Sequence, residues 1–296
     1  MTVKVAHGEF HLTAPAKLNL YLHIVGVRED GYHLLDSLVV FAGLHDELAF
    51  ASDDTLSLVI RGPFSAALGE VNLDDNLVLR AARHLARLHR VKAGAAITLT
   101  KNLPVAAGIG GGSADAAATL LGLARLWNLD LDARALGGLG LELGADVPVC
   151  IESRPAFMGG IGEELTPATG VPAAGLVLVN PGVALSTAAV FKALGGTVSK
   201  PAPREALPED AAGLARYLKA RRNDLAAPAM SLAPGIETVR TAIAATPDCL
   251  LSQMSGSGTT CFGLYADRAT ADVAAATLAE GHPEWWVAAT ELFADA

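Results

Sequence analysis

Residues 104–117 read PVAAGIGGGSADAA, with Gly108, Gly110, Gly111 and Gly112 crowded ahead of Ser113 and an alanine-rich run behind it. Glycines leave a backbone open to a ligand. A helix that starts just after them turns its unsatisfied N–H groups and the positive end of its dipole toward the same place. The stretch reads as a cradle for a phosphate-like anion, with Ser113 placed to cap the helix, touch a phosphate or ligate Mg²⁺. Neither common nucleotide loop fits: Walker A needs Gly-Lys before Ser or Thr, and the dinucleotide fingerprint needs GxGxxG where this loop reads GIGGGS. On these residues alone, a flexible turn before a capped helix is the competing reading.

Working outward, 95–100 predicts a strand that stops at Lys101, Asn102 and Pro104, and 114–127 predicts the helix after the loop. Upstream, LVLRAARHLARLH (77–89) has helical spacing behind the Asx-type start Asp74, Asp75 and Asn76. Within 10–25, Leu18, Leu20, Leu22 and Ile24 alternate with Lys17, Asn19, Tyr21 and His23. That is the period of a strand with one buried face, so Lys17 and Asn19 point the same way. REDG (28–31) reads as a turn into Tyr32, His33 and a returning strand LLDSLVVF, and 56–60 as another strand.

Downstream, 134–143 predicts a helix, and Asp146 follows in GADVPVC, where Pro148 is expected to fix the exit into a strand. Gly159, Gly160, Gly162, Pro167, Gly170 and Pro172 cluster at a candidate domain change, which we set near Leu165, giving domains 1–165 and 166–296. The second half predicts strands at 175–180, 249–255 and 261–266 and helices at 187–194, 213–218, 235–245 and 269–280.

The 296 residues, 51% of them hydrophobic, are enough for two compact domains. A net charge of −9 with scattered Lys and Arg argues against a nucleic-acid partner, so attraction to a phosphate must be local. No apolar stretch reaches the roughly 18 residues a membrane span needs. The first ten residues, MTVKVAHGEF, have no apolar export segment, and Cys150, Cys249 and Cys261 lack CxxC spacing. A cytoplasmic location is expected, with buried, inert cysteines. The remaining histidines, His7 among them, show no metal-site spacing.

PxxxGIGGGSADAA, GADVP and MSGSGTT (254–260) resemble, in order, the three motifs of the GHMP kinases, ATP-dependent enzymes that phosphorylate small alcohols. The resemblance implies a two-domain α+β fold, with a ribosomal-protein-S5-like N-terminal domain and a ferredoxin-like C-terminal domain. It implies ATP and Mg²⁺, with Pro104, Val105, Ala106, Ala107, Gly108, Ile109, Gly110, Gly111, Gly112, Ser113 and Ala114 holding the triphosphate. Asn76 and Lys101 would approach the adenine, although as isolated residues they read as a helix cap and a solvated strand end. Lys17 and Asp146 become a catalytic pair, against the plain reading of a structural ion pair, and Gly256, Ser257 and Gly258 support the phosphate loop.

The stretch PAKLNLYLHIVGVREDGYHLLDSLVVF (15–41), with DDNLVLRAAR, is similar to a branch whose acceptor is a cytidine-diphosphate alcohol of the non-mevalonate isoprenoid route. That implies substrate contacts from Asn19, Tyr32, His33, Thr187 and Phe191, against core packing for the aromatic residues. Two departures stand out: Ala114 where many relatives carry a second serine, and Cys150 where an aromatic residue commonly follows GADVP. A homoserine-, mevalonate- or galactose-type kinase, and a non-catalytic RNA-binding module on an S5-like fold, stay open as alternatives. Monomer and homodimer are undecided.

Overall fold

A computed structural model of the chain describes residues 9–69 and 73–293; His7 lies outside them. In chain order the first elements are β1 (Phe10–Val27), β2 (His33–Asp53), β3 (Leu56–Arg61), the single turn α1 (Ala66–Gly69), α2 (Leu77–Leu88), β4 (Gly94–Thr100) and α3 (Gly111–Leu126). Then come α4 (Ala133–Leu143), α5 (Val147–Glu152), β5 (Ala156–Gly159), β6 (Glu164–Pro167), β7 (Gly175–Asn180), α6 (Thr187–Leu194) and α7 (Ala211–Lys219). The chain closes with α8 (Ala226–Leu232), α9 (Gly235–Ala244), β8 (Leu251–Met254), β9 (Cys261–Tyr265), α10 (Arg268–Gly281) and β10 (Trp286–Glu291). Among the described residues no helix is long and apolar enough to cross a membrane.

By contacts the chain divides into two compact units that interleave in sequence. One is Met1–Ala16, Leu44–Val105 and Gly111–Ser153; the other is Lys17–Gly43, Ala106–Gly110 and Arg154–Ala296. This differs from a single cut at Leu165, because β1 and β2 each give residues to both units.

In the first unit, the later half of β2 pairs antiparallel with β4, Glu47 opposite Thr100, and β3 runs parallel to β4, Leu56 opposite Ala95. A parallel pair needs a crossover, and α2 lies within it. Helix α3 buries Ala114, Ala116, Ala117, Ala118, Leu120 and Leu123, residues from all round its axis. A helix apolar on every side is a core helix, here packed by α2 and α5. Its small side chains allow close approach. Gly122 is one such point: a Cβ there would sit 2.5 Å from the Phe50 ring, which is fully buried.

In the second unit the strand order is β10-β7-β9-β8, all antiparallel, with helices in the β7–β8 connection and α10 before β10. This β-α-β-β-α-β order is the ferredoxin-like arrangement expected for the second half. Its core gathers Val177, Val179, Val190, Ile236, Val239 and Tyr265 with others, and Leu22 and Ile24 of β1 join it. The first half of β2 pairs with β5, and β5 with β6.

Five expectations need correction. β1 is not a strand with one buried face: Lys17, Asn19, Tyr21 and His23 are buried along with Leu18, Leu20, Leu22 and Ile24. Polar side chains survive burial when hydrogen-bonded. Lys17 donates to Asn19 (2.9 Å), Asn19 to Ser37 (2.8 Å) and Tyr21 to Asp36 (3.1 Å), while His23 accepts from the Arg222 amide (3.3 Å).

Second, GADVPVC leads into helix α5, not a strand. Proline is tolerated in a first helical turn, whose N–H has no partner to lose, and Pro148 sits there. Third, α3 begins at Gly111, three residues before the expected start, so Ser113 lies inside its first turn and is not its cap. Fourth, the glycine- and proline-rich stretch after Gly159 contains strand β6, and α1, β5, α8 and β10 were also missed; α1, β5 and β6 span four residues each, too few to show a period. Fifth, Cys249 is only half-buried, unlike Cys150 and Cys261. Burial raises the Cys249 thiol and takes Cys261 up to about 12, so neither is a ready thiolate at neutral pH.

Gly122→Ala tests the α3 packing. Alanine gains up to about 1 kcal/mol of helix propensity over glycine, but overpacking a filled core costs about 1–3 kcal/mol. The clash is with a buried ring, so a net loss of about 1–2 kcal/mol is expected from urea denaturation; a stabilised variant would contradict the packing described.

Candidate active site

The glycine loop bends through three left-handed residues, Ala106 (φ 52°), Gly108 (φ 74°) and Gly110 (φ 65°). Alternation of this kind turns successive N–H groups toward one side, the geometry of an anion nest. The turn at Ser255–Gly258 backs the loop at backbone contact. A Cβ on Gly108 would lie 2.6 Å from the Gly258 carbonyl oxygen and 2.7 Å from that of Ser255, and one on Gly256 would lie 2.8 Å from the Gly108 oxygen. Only glycine fits these positions.

Hydrogen bonds lock the approach. The Thr260 amide donates to the Ala107 carbonyl (3.1 Å), and the Lys17 amide to the Ile109 carbonyl (2.9 Å). The Ser255 hydroxyl accepts from the Asn19 amide (3.1 Å) and donates to the Gly108 carbonyl (3.0 Å). Asn223 donates to the Met254 and Gly256 carbonyls, and Asn180 to the Thr259 and Thr260 hydroxyls, so the turn is held from both sides.

Lys17 lies against the loop: a Cβ on Gly110 would meet its Cβ at 2.9 Å and its Cε at 3.1 Å. Its ammonium donates to Asn19 Oδ1, whose amide is anchored in turn by Ser37. Asn19 thus orients Lys17. Thr187, opening α6, shares a hydrogen with Ser257 (2.8 Å). The His33 and Phe191 rings face each other at 4.8 Å, while Tyr32 stands 58% exposed, which removes core packing as its role.

In the other unit, Gly111, Gly112 and Ser113 form the first turn of α3, whose N–H groups have no partner within the helix. Pro104 and Ala114 are buried, Val105 half-buried, and Asn76 caps α2 by accepting from the Val78 amide (2.9 Å). A Cβ on Gly112 would come within 3.3 Å of Leu77, so the starts of α2 and α3 adjoin. Asp146 occupies the N-cap position of α5 without capping it. Cys150 is buried one turn on, its amide donating to the Asp146 carbonyl (3.3 Å).

Lys101 is not a solvated strand end. It is 2% exposed, and its ammonium meets Asp46 at 2.5 Å and Asp115 at 2.6 Å. Both Asp46 and Asp115 escaped the sequence reading, since neither sits in a recognisable spacing. Asp46 Oδ1 also accepts from the Asn102 and Leu103 amides (2.6 and 2.8 Å), tying down the strand end that enters the loop. A Cβ on Gly111 would come within 3.2 Å of the Lys101 ammonium, so this ion cluster lies directly under the start of α3. Burial, reinforced by Asp46 and opposed by Lys101, pushes the Asp115 carboxyl up to about 7, and its Oδ1 is buried without a partner. Burial alone would lower Lys101, but the two carboxylates hold it above its ordinary value.

The chain is similar to known proteins over nearly its whole length. The family described as GHMP kinases N terminal domain matches residues 76–154, and that described as GHMP kinases C terminal matches 204–284. A protein of Paramagnetospirillum magneticum named 4-diphosphocytidyl-2-C-methyl-D-erythritol kinase is 56% identical over 96% of this chain and 98% of its own length. One of Rhodospirillum rubrum with the same name is 51% identical over 95% of this chain and 92% of its own. A crystal structure of 4-(cytidine 5'-diphospho)-2C-methyl-D-erythritol kinase superposes with a TM-score of 0.78 at 34% identity, covering 96% and 99% of the two chains. The chain belongs to the GHMP kinases. It is an ATP-dependent phosphotransferase with an alcohol acceptor.

Two outcomes follow from the geometry. Ser255→Ala removes both ends of the hydroxyl relay, and an unsatisfied buried group costs about 1–3 kcal/mol; the KM for ATP is expected to rise about tenfold in steady-state kinetics. For Asp115, a folded pKa above the ordinary 3.8 means that the native state holds a proton the unfolded chain has released. Stability is therefore lost as pH rises from about 4 through about 7. Asp115→Asn should flatten that decline by up to about 1.4 kcal/mol per pH unit, the slope of one proton, in denaturation curves between pH 5 and 8.

Proposed function

We propose that the chain transfers the γ-phosphate of ATP to the 2-hydroxyl of 4-diphosphocytidyl-2-C-methyl-D-erythritol, giving the 2-phosphate and ADP in the non-mevalonate route to isoprenoid precursors. Identity above 50% to proteins of that name over nearly their whole length carries the choice of acceptor. The carrying observation for the chemistry is the left-handed glycine loop with the Lys17 side chain laid along it.

In this reading residues 104–114 cradle the triphosphate, with Asn76 and Lys101 toward the adenine and Gly256, Ser257 and Gly258 bracing the loop. The Lys101 ammonium is taken by two carboxylates, its amide by the Arg61 carbonyl and its carbonyl by the Phe64 amide, so its part at the adenine is to hold the strand end in place. Phosphoryl transfer asks the protein mainly to position reactants and offset charge. Asp146 orients the acceptor hydroxyl and takes its proton. Lys17, held by Asn19, meets the charge that develops as the phosphoryl group moves.

Tyr32, His33 and Phe191 present ring faces on which a cytosine can stack, and Thr187 adds a hydroxyl. A divalent ion fits Ser113, whose half-buried hydroxyl stands in the first turn of α3. Mg²⁺ would be carried there mainly on phosphate oxygens and water. Bound there, Mg²⁺ would supply charge neutralisation. We also propose a cytoplasmic location and functional domains at 1–165 and 166–296.

The test measures ADP release with the cytidine-diphosphate methylerythritol beside homoserine, mevalonate and galactose. Only the first should stimulate it strongly; equal stimulation by another alcohol would sink the acceptor assignment. Asp146→Asn should lower kcat by about 10²–10⁴ while ATP affinity stays within about threefold, and unchanged turnover would remove Asp146 from the mechanism.

A further inference from the structure

The second unit also holds a cavity of about 350 Å³ that the proposed reaction does not use. Its walls are His23, Ser199, Lys200, Lys219, Arg221 and Arg222, with Ala220. Two of these are buried, His23 at 8% and Arg221 at 7% exposure, so this is a built recess and not a chance grouping of surface cations.

The charges there are held in place. Arg222 donates through Nε to Asp224 (2.7 Å) and through Nη2 to the Ser199 hydroxyl (2.8 Å). Arg221 lies over the Tyr217 ring at 3.4 Å and donates to the Tyr217 and Pro203 carbonyls (2.7 and 2.8 Å). Two donors of these residues are buried beneath the wall without a partner. His23 Nε2 accepts from the Arg222 amide, which in the neutral ring puts the hydrogen on Nδ1, and Nδ1 is buried without a partner; so is Arg221 Nε. Leaving such groups unpaired costs about 1–3 kcal/mol each.

The nearby acceptors are occupied. Asp224 is taken by Arg222 and the Ile24 amide, and Asp36 by Tyr21 and the Ala202 amide (2.6 Å). Glu205 reaches Arg221 only at 3.6 Å and is itself 66% exposed. The C-terminal end of α7 would repel an anion, but its Tyr217 and Leu218 carbonyls already accept hydrogens from Arg221. Lys200 and Lys219 have no carboxylate partner among the described residues.

A recess lined by four cations, with no carboxylate among its lining residues, selects an anion. On a chain of net charge −9 such a local excess is unlike the rest of the molecule. Ligand sites run from about 300 to 1,000 Å³, so this one suits a small occupant. We propose that this cavity binds a small phosphate-bearing anion, at a site separate from the glycine loop.

The test is calorimetric titration of pyrophosphate into the full-length protein, with the glycine loop saturated by a non-hydrolysable ATP analogue and salt near physiological ionic strength. One further site per chain is expected. The exposed pair Lys200→Ala with Lys219→Ala should weaken it about tenfold, a change of about 1.4 kcal/mol, and leave the rate of ADP release unaltered. His23→Gln, which alters a wall without removing a cation, should weaken it as well. A parallel titration with orthophosphate distinguishes a single phosphate from a diphosphate as the recognised group, and binding of either supports the site. No heat up to roughly millimolar concentration of both anions, or equal binding by the double variant, overturns the proposal.

Discussion

The Ser255 hydroxyl takes a hydrogen from the Asn19 amide and gives its own to the Gly108 carbonyl, and through that one oxygen three segments far apart in sequence share a position. Gly108 and Gly256 exist to permit it: any side chain at either would push the loop and the turn apart by more than a hydrogen bond can span. Asn19 in turn holds the Lys17 ammonium, so the placement of the cation and the curvature of the loop are set by the same contacts. A loop of glycines is entropically costly to order, by more than other residues. The structure meets that cost with fixed backbone hydrogen bonds at Ala107, Gly108 and Ile109, not with side chains in the loop itself.

The other unit handles its part of the loop differently. There a buried lysine stands between two buried carboxylates under the first turn of α3. Burial in this water-free place, reinforced by the neighbouring Asp46 and opposed by Lys101, raises the Asp115 carboxyl. Such clusters are poor sources of net stability, since desolvation consumes most of the attraction. They do define direction: Asp46 clamps the Asn102 and Leu103 amides, and Lys101 ties that clamp to α3. The strand end and the helix start on either side of the loop are thereby held in one register.

Much of this was legible because it depends on local spacing. The glycine run, the helix after it, the Asn76 cap, strand β7 and helix α6 follow from patterns a few residues long, and the structure reproduces the bounds of the last two. Lys17 and Asn19 share a face because a strand has a period of two, and that too is local. What stayed hidden depends on tertiary neighbours. Nothing around Asp46 or Asp115 foretells that they meet at Lys101, and the polar half of β1 reads as a solvent face until Ser37, Asp36 and Arg222 arrive to satisfy it. Pro148 misled for a different reason: the same residue stops a helix from within and starts one from its first turn, and sequence spacing alone does not say which.

The segment 221–224 joins the two anion-directed regions of the second unit. Arg221 and Arg222 line the basic cavity, and the next residue, Asn223, holds the Met254 and Gly256 carbonyls of the turn that braces the glycine loop. Its backbone is pinned on both sides, since the Leu22 amide donates to the Arg222 carbonyl and the Asp224 amide to the Leu22 carbonyl. With β1 thus paired to this segment, His23 is fixed in the cavity wall by the same strand that carries Lys17 and Asn19 toward the loop. A net charge of −9 repels phosphates at long range, so both regions must work at contact distance, where rigidly aimed donors outweigh a diffuse field. Rigidity is what the shared backbone supplies: a donor whose carrier cannot shift loses little orientation entropy when an anion arrives.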